Sequence, residues 1–590
     1  MHLTPSTAWA WLIACAVVIL LFPLATQFGN LKGKLSSFRT WVWAIALLGI
    51  VAAGFMPFIF DADIAYFEVQ PLIFFITGTL LGVLFLGEFH RLSSLDKQEH
   101  THRVHAERRT RYSKAVEQLA YPNPAVRASA IGALASLVDE WLADEQLSVE
   151  ARQKEGQVIV NTLCAYVRSP FSRAFKAEAF ESDAPPANYA GDFATDLAAF
   201  RGEQDVRRSI FVEMSKRSST LTENEKGEVA VVPGAWSGFE FDFSRAVVFY
   251  PLSNLTIENA DFASATFYGP ADFSGTTFRG DTSFSAAQFT ADASFHGANF
   301  TGEADFSDAV FSAAADFAVA SFEADADFSR LNTAGIASFT AITFDGKAVF
   351  TASTFHDEAH FAASVFNRPA VFSDSLFGGA ARFAGIVTKQ SAMFSNVRFA
   401  SAADFSGASF TQYEDFGGAR FDGDATFSRA SFIALPRTRY EMDFPQGANF
   451  GNATFAQDAD FSKATFTAHV GFYKATFARA VSFNGASFEG AYFADATFGQ
   501  GADFRQTSFA YVEPSFEALE RRLQRARFSA HANPQDYQFE ARPESPHGFS
   551  CGEAQLLNRT FILPLGAVLY DPGSWDEEKQ DYTRISEPAQ

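Results

Sequence analysis

The sequence predicts a mainly β protein: a long solenoid of Phe-centred repeats, preceded by three transmembrane helices and a small α-helical collar. Three observations carry this reading. Phenylalanine supplies 69 of the 590 residues, against 15 Tyr and 7 Trp, so a single aromatic packing environment is used many times over. From residue 262 the Phe residues recur at alternating intervals of five and six. Ahead of the repeats lie three apolar runs that contain no charged side chain. Together they divide the chain into an anchor at 1–90, a helical segment with a linker at 91–235, the solenoid at 236–512, and a capping helix and tail at 513–590.

The apolar runs are Trp9 to Ala25, Trp41 to Phe60 and Leu72 to Gly87. As helices the first two are long enough to cross a hydrocarbon core of roughly 30 Å, and Phe89 extends the third. The first connection carries Lys32, Lys34 and Arg39, the second Asp61, Asp63 and Glu68, and many Arg follow the third run. The positive-inside rule therefore puts the N-terminus outside and the solenoid in the cytoplasm, as three crossings also require. The expected location is the inner or plasma membrane, where the Asn-x-Ser/Thr triplets at Asn254, Asn299, Asn452 and Asn558 have no glycosylation meaning. Gly78 and Gly82 form a GxxxG in the third run, a spacing that serves packing within the bundle or dimerisation between chains.

Glu88 to Glu117 reads as a charged helix whose cations, from Arg103 to Lys114, would meet anionic headgroups. His100, His102 and His105 lie on it as part of a solvated face. Asn123 as a cap, Pro124 at a first helical position, and apolar residues through Leu137 predict a helix. Val158 to Val167 predicts a second, making a HEAT-like hairpin that packs on the open end of the solenoid. Asp205 to Met214 reads as a third, short helix, and Lys216 to Glu228 as a flexible linker.

The repeat itself excludes ordinary elements. Phe262, Phe267, Phe273, Phe278, Phe284, Phe289, Phe295, Phe300, Phe306 and Phe311 form the expected core ladder. Gly, Ser, Thr and Asp fill the space between them, which argues against a helix, and strict alternation is absent, which argues against an ordinary strand. A coil that turns a corner every five or so residues fits, with backbone hydrogen bonds between coils about 4.8 Å apart. Ala260-Asp-Phe-Ala-Ser264, Ala271-Asp-Phe-Ser-Gly275 and Ala304-Asp-Phe-Ser-Asp308 resemble the A(D/N)LXX units of the pentapeptide-repeat family. The resemblance covers about Val247 to Phe509 and implies a right-handed quadrilateral β-helix with four faces per coil. The sixth residue at every second face departs from the family's strict five and points to a 22-residue coil. Asp272, Ser294, Asp316 and Ser338 would then share one ladder. The membrane runs followed by Ala115-Val-Glu-Gln-Leu119 and Ala165-Tyr-Val-Arg168 are similar to those of bacterial membrane-anchored members, which implies a bacterial source.

The ladder has faults. Thr333 and Thr388 stand where Phe is expected, which predicts a thinner core at those coils. The period lapses after Phe432 and resumes at Phe450, so Arg437, Arg439 and Tyr440 belong to a bulging loop, either a tolerated insertion or a partner-binding element. Phe488, Phe493 and Phe498 run at pure five and restore the phase. Pro514 to Phe528 reads as an amphipathic helix capping the last coil, and the tail from Ser529 stays unassigned beyond a strand or lid.

No motif for catalysis stands out: there is no phosphate-binding Gly loop, no HExxH, no nucleophile elbow and no Cys–His pair. The three cysteines, Cys15, Cys164 and Cys551, are too few and scattered for a disulfide framework. The expectation is a non-enzyme without cofactor or metal. A net charge of −22 argues against a nucleic-acid partner. The partners expected are the membrane, a cytoplasmic protein and, through the glycines, a second copy. What the features predict is a membrane-anchored scaffold or interaction module. The alternative comes from the resemblance: some soluble pentapeptide-repeat proteins mimic DNA and regulate topoisomerases. Residues 261–509 carry 27 acidic and 15 basic side chains, a net of −12 over a rod of roughly 55 Å, far below the one charge per roughly 1.7 Å of a duplex.

Overall fold

The computed structural model describes residues 101–223, 229–433, 447–518 and 524–590. Before them it describes Ala10, Trp11, Ile13, Ala14, Val17, 47–51, Gly78, Leu81 and Gly82. The chain divides into two units, Met1–Arg111 and Tyr112–Gln590. In the first, the described residues are helical, and Trp11, Ile13, Val17, Leu47, Ile50 and Leu81 expose their side chains. The three expected spans lie mostly outside the described residues, among which no helix is long and apolar enough to cross a membrane.

In the second unit residues 112–119 are helical, and three further helices pack together: α1 (Pro124–Leu142), α2 (Val149–Arg168) and α3 (Phe193–Ser218). Asn123 accepts from the Ala125 amide and Ser148 from the Ala151 amide, so each side chain satisfies an amide that the helix leaves without a partner. The third helix runs 26 residues, well beyond the short segment expected from Asp205 to Met214. Leu197 and Phe200 in its added first half pack on the same core, so tertiary burial supports a stretch whose local pattern is weak. The expected linker from Lys216 to Glu228 is also corrected. The helix ends at Ser218, and Ser219–Glu223 pairs antiparallel with Val229–Pro233.

From Phe241 the chain winds into a parallel solenoid of about twelve coils with four sheets, here faces 1 to 4 in the order the chain meets them. Among the described residues they contain nine, fourteen, twelve and twelve strands respectively, mostly two residues long. Ala304 pairs with Ala326 on face 1, and Val310 with Asn332 on face 2. Ala315 pairs with Ala337 on face 3, and Asn299 with Ser321 on face 4. Each step is 22 residues, and the ladder of Asp272, Ser294, Asp316 and Ser338 is formed as expected. Near the end the step shortens to 21, Thr476 pairing with Thr497, which is the run of pure fives around Phe493.

Inside, the phenylalanines build four columns. Phe306, Phe328, Phe350 and Phe372 stack nearly parallel with ring centroids 4.8 to 5.0 Å apart. The column of Phe317, Phe339 and Phe361 meets them edge-on at 5.2 to 5.5 Å. Stacked contact along an axis and edge contact across it are both favourable aromatic geometries, so one residue type satisfies both directions. Thr333 interrupts the face 2 column between Phe311 and Phe355, and Thr388 the face 4 column between Phe366 and Phe410.

Both ends are closed. Phe211 of α3 lies 4.6 Å from the ring of Phe243 and extends the first column into the helices. At the other end the helix expected from Pro514 to Phe528 is not formed among the described residues. Phe516 and Phe528 are instead further rungs, stacked on Phe493 and Phe498, and Arg527–Ser529 joins face 2. The tail continues the solenoid through Tyr537–Gln538 on face 3 and Val568–Tyr570 on face 2, and a hairpin of Cys551–Leu556 with Arg559–Pro564 lies beside it.

Candidate functional site

Each coil offers outward positions on all four faces, and chemistry at these positions follows a structural rule. On faces 1 and 3 the second strand residue is usually Asp, Ser or Asn. Its oxygen accepts from the amide two residues on, as in Asp305 to Ser307 (2.8 Å), Asp327 to Ser329 (2.7 Å), Asp404 to Ser406 (2.9 Å) and Asn449 to Gly451 (2.9 Å). The bond holds a turn whose second residue has positive φ once per 11 residues, in Ser264, Ala286, Asp308 and Val319 among others. Burial pushes the Asp272 carboxyl up, but the hydrogen bonds from Ser274 prevail and hold it below the ordinary carboxylate range. These acids are turn acceptors, not acid–base pairs.

Many cations on the rod are paired. Arg330 meets Asp308 at 2.6 Å, Arg382 meets Glu358 at 2.9 Å, and Arg398 and Arg420 share Asp422 at 2.8 and 2.5 Å. In the helical part Arg207, 1% exposed, donates to Glu203 (2.8 Å) and to the carbonyls of Val167 and Ser169, while Arg127 donates to the same carboxylate. That network ties the three helices together. Burial pushes the Cys164 thiol up to about 12, so it is not an activated nucleophile.

The rule breaks at His360 and Arg382 on face 3 and over three consecutive coils on face 1. On face 1 the turn-acceptor position is occupied by Val349, Val371 and Met393, which have no oxygen to offer and are partly exposed. On face 4 the outward positions of two of these coils are Val365 and Val387. The corner between the two faces carries Lys347, Arg368 and Lys389, one per coil, all exposed and without a side-chain partner among the described residues. In the next coil Glu414 takes the inward position that Ala392 fills before it. It is fully buried, neither carboxylate oxygen has a hydrogen-bond partner, and burial pushes its carboxyl up to about 8. Sequence reading passed over all nine residues, although the phase of the repeat marks each as a departure from its column.

A shallow groove of about 680 Å³ runs along face 3 near the C-terminal end, lined by Asp424, Asp458, Asp460, Asp503 and Asp536 with Arg505. Among the described residues no group of His, Cys, Asp and Glu could hold a metal ion. The phenylalanines from Phe262 to Phe311 are buried. Gly78 and Gly82 are helical, and a Cβ on either would meet nothing within 4 Å. Arg437, Arg439 and Tyr440 lie outside the described residues.

No curated protein and no solved structure matches the chain. The family model described as pentapeptide repeats matches residues 262–309 and 463–508, with nine copies. Those stretches lie in opposite halves of one continuous stack whose faces, register and Phe columns run from one to the other, and this parallel β-solenoid fits a pentapeptide-repeat β-helix.

Proposed function

We propose that this protein is a non-enzymatic scaffold that displays a rigid pentapeptide-repeat rod to protein partners from a membrane. The observation that carries it is the four-column Phe core. It fills the interior, fixes every outward side chain in a ladder, and spreads the carboxylates as turn acceptors instead of gathering them at one point. Attachment to the membrane is supported by the three uncharged apolar runs and by exposed Trp11, Ile13, Leu47 and Ile50 on helical residues. The charges of the connecting segments favour the solenoid on the cytoplasmic side of a bacterial inner membrane. Mimicry of DNA is disfavoured, because Val349, Val371, Met393, His360 and Arg382 interrupt the acidic ladders of faces 1 and 3.

The test is affinity purification of the full-length protein from its native membrane beside a version lacking residues 1–90. The same partner with both places recognition on the solenoid. No reproducible partner with either version would refute the scaffold reading, and solubilisation of the full-length protein by alkaline carbonate would refute the anchor.

A further inference from the structure

We infer that the corner between faces 4 and 1, over the three coils from Thr343 to Met393, is the docking surface for an acidic amphipathic α-helix of a partner protein. This rests on the interaction reading above and specifies where it acts. Three separate departures coincide there. Val349, Val371 and Met393 give up the side-chain acceptor that fixes the neighbouring turn in the coils around them, where Asp305, Asp327 and Asp415 keep it. Val365 and Val387 widen the apolar strip around the corner, with Pro369 between the faces. Lys347, Arg368 and Lys389 stand at the corner itself, between the two apolar columns and with Asp345 beside Lys347, on a rod whose net charge is negative. Elsewhere at this height the cations are neutralised: Arg382 on face 3 by Glu358, and Arg398 on face 2 by Asp422.

Spacing selects the occupant. Successive coils here repeat every 4.8 Å, as the stacks of Phe339 on Phe361 and Phe350 on Phe372 measure. On an α-helix, residues three and four apart are about 4.5 to 6 Å apart along the axis, so successive turns meet successive coils. An extended strand presents one face every roughly 6.8 Å and drifts out of step within two coils. A helix lying along the corner would set an apolar stripe on the Val and Met side chains, with carboxylates toward the three cations. Two copies of this chain fit less well. Packed antiparallel with the corners in contact, the cations of one would face Lys and Arg of the other, or its apolar strip would face Asp305 and Asp327.

The experiment places a photoreactive phenylalanine analogue at Val371 in the full-length chain in its producing cells. Separate chains carry it at Ser338 on face 3, Thr476 on face 2 and Asn299 on face 4. Adducts are sequenced by mass spectrometry. The expected result is an adduct from position 371 with a protein segment whose acids flank apolar residues at i, i+3 and i+4. In an Arg368→Glu, Lys389→Glu chain with unchanged melting temperature, its yield should fall about tenfold or more. An adduct at 371 with lipid, with a second copy or with a non-acidic segment, or a yield indifferent to the charge reversal, overturns the inference. Adducts from the other faces alone overturn it while leaving the interaction reading intact. No adduct from any face overturns both.

Discussion

Replacing Glu414 by alanine should stabilise the solenoid at pH 8 to 9 and change it little near pH 5. Glu414 fills an inward position that the preceding coil gives to Ala392, it is 0% exposed, and both carboxylate oxygens lack hydrogen-bond partners. Burial pushes its carboxyl up to about 8 from an ordinary value of 4.5. A carboxyl raised in the folded state is protonated there while the unfolded chain has already ionised. Its favourable contribution is therefore complete below about 4.5 and is lost as pH rises through 8. At about 1.4 kcal/mol per pKa unit the gap sets a ceiling of roughly 5 kcal/mol, an order-of-magnitude figure that relaxation and water entry would reduce.

The assay is equilibrium unfolding in urea, followed by circular dichroism, of the natural protein and the Glu414→Ala protein at unit steps from pH 5 to 9. The quantity to plot is their difference, because Glu258, raised to about 7 mainly by burial with Arg279 opposing, titrates in the same window and cancels. The difference should grow steadily in favour of alanine between pH 5 and 8 and then level off. Glu414→Gln should remove the pH dependence as well while retaining a buried polar group. Parallel curves for the natural and alanine proteins would refute the reasoning, since they would mean that the carboxyl is solvated or paired.

Three further substitutions probe the stack. Phe350→Ala removes a ring stacked on Phe328 and Phe372 at 4.8 Å and met edge-on by Phe339 and Phe361, and should cost about 3 to 5 kcal/mol in the same urea titration. Thr333→Val should stabilise by about 1 kcal/mol, read as a higher urea midpoint, because the Thr333 hydroxyl is buried without a partner; in Thr388→Val the gain should be smaller, since that hydroxyl accepts from the Thr411 amide at 3.4 Å. Gly346→Ala should destabilise by about 1 to 3 kcal/mol and speed amide exchange in the adjoining coils, as its Cβ would fall 2.1 Å from the Ala324 carbonyl carbon.

How much was legible follows from which side chains the fold constrains. Every buried Phe must point inward at a fixed phase, so spacing yields the 11-residue unit and the two interrupted columns at Thr333 and Thr388, while the 22-residue coil and the shared ladder of Asp272 and Ser294 also needed the four faces that the family resemblance implies. The turns were less legible, because Ala286 and Val319 adopt positive φ where nothing in their chemistry asks for it; the bonds between coils impose it. Phe516 misled in the opposite direction. Beside charged residues at three- and four-residue spacing it reads as helical, yet its ring stacks 5.0 Å from Phe493 as one more rung. Local pattern could not separate the two, because what decides is a column twenty-odd residues away. The first half of α3 shows the same limit, its apolar residues finding partners only in the assembled core.

The surface was legible in principle, and its exceptions carry more information than its rule. In a stack where each coil touches only its neighbours, a change of an outward side chain costs little and can occur anywhere along the rod. Unconstrained changes would scatter over four faces and twelve coils. Here three lost turn acceptors, two outward valines and three unpaired cations fall on one corner within three coils, while His360 and Arg382 lose theirs on face 3, and the next coil along the same corner buries a carboxyl where the preceding coil has alanine. The buried carboxyl weakens the stack at the pH of most cells, whereas the outward changes expose apolar area that water disfavours. Exposed apolar residues also occur at Val319 and Ile336, and a second buried carboxyl at Glu258, so what sets this corner apart is the conjunction of apolar columns with unpaired cations, and that conjunction marks a surface kept for contact.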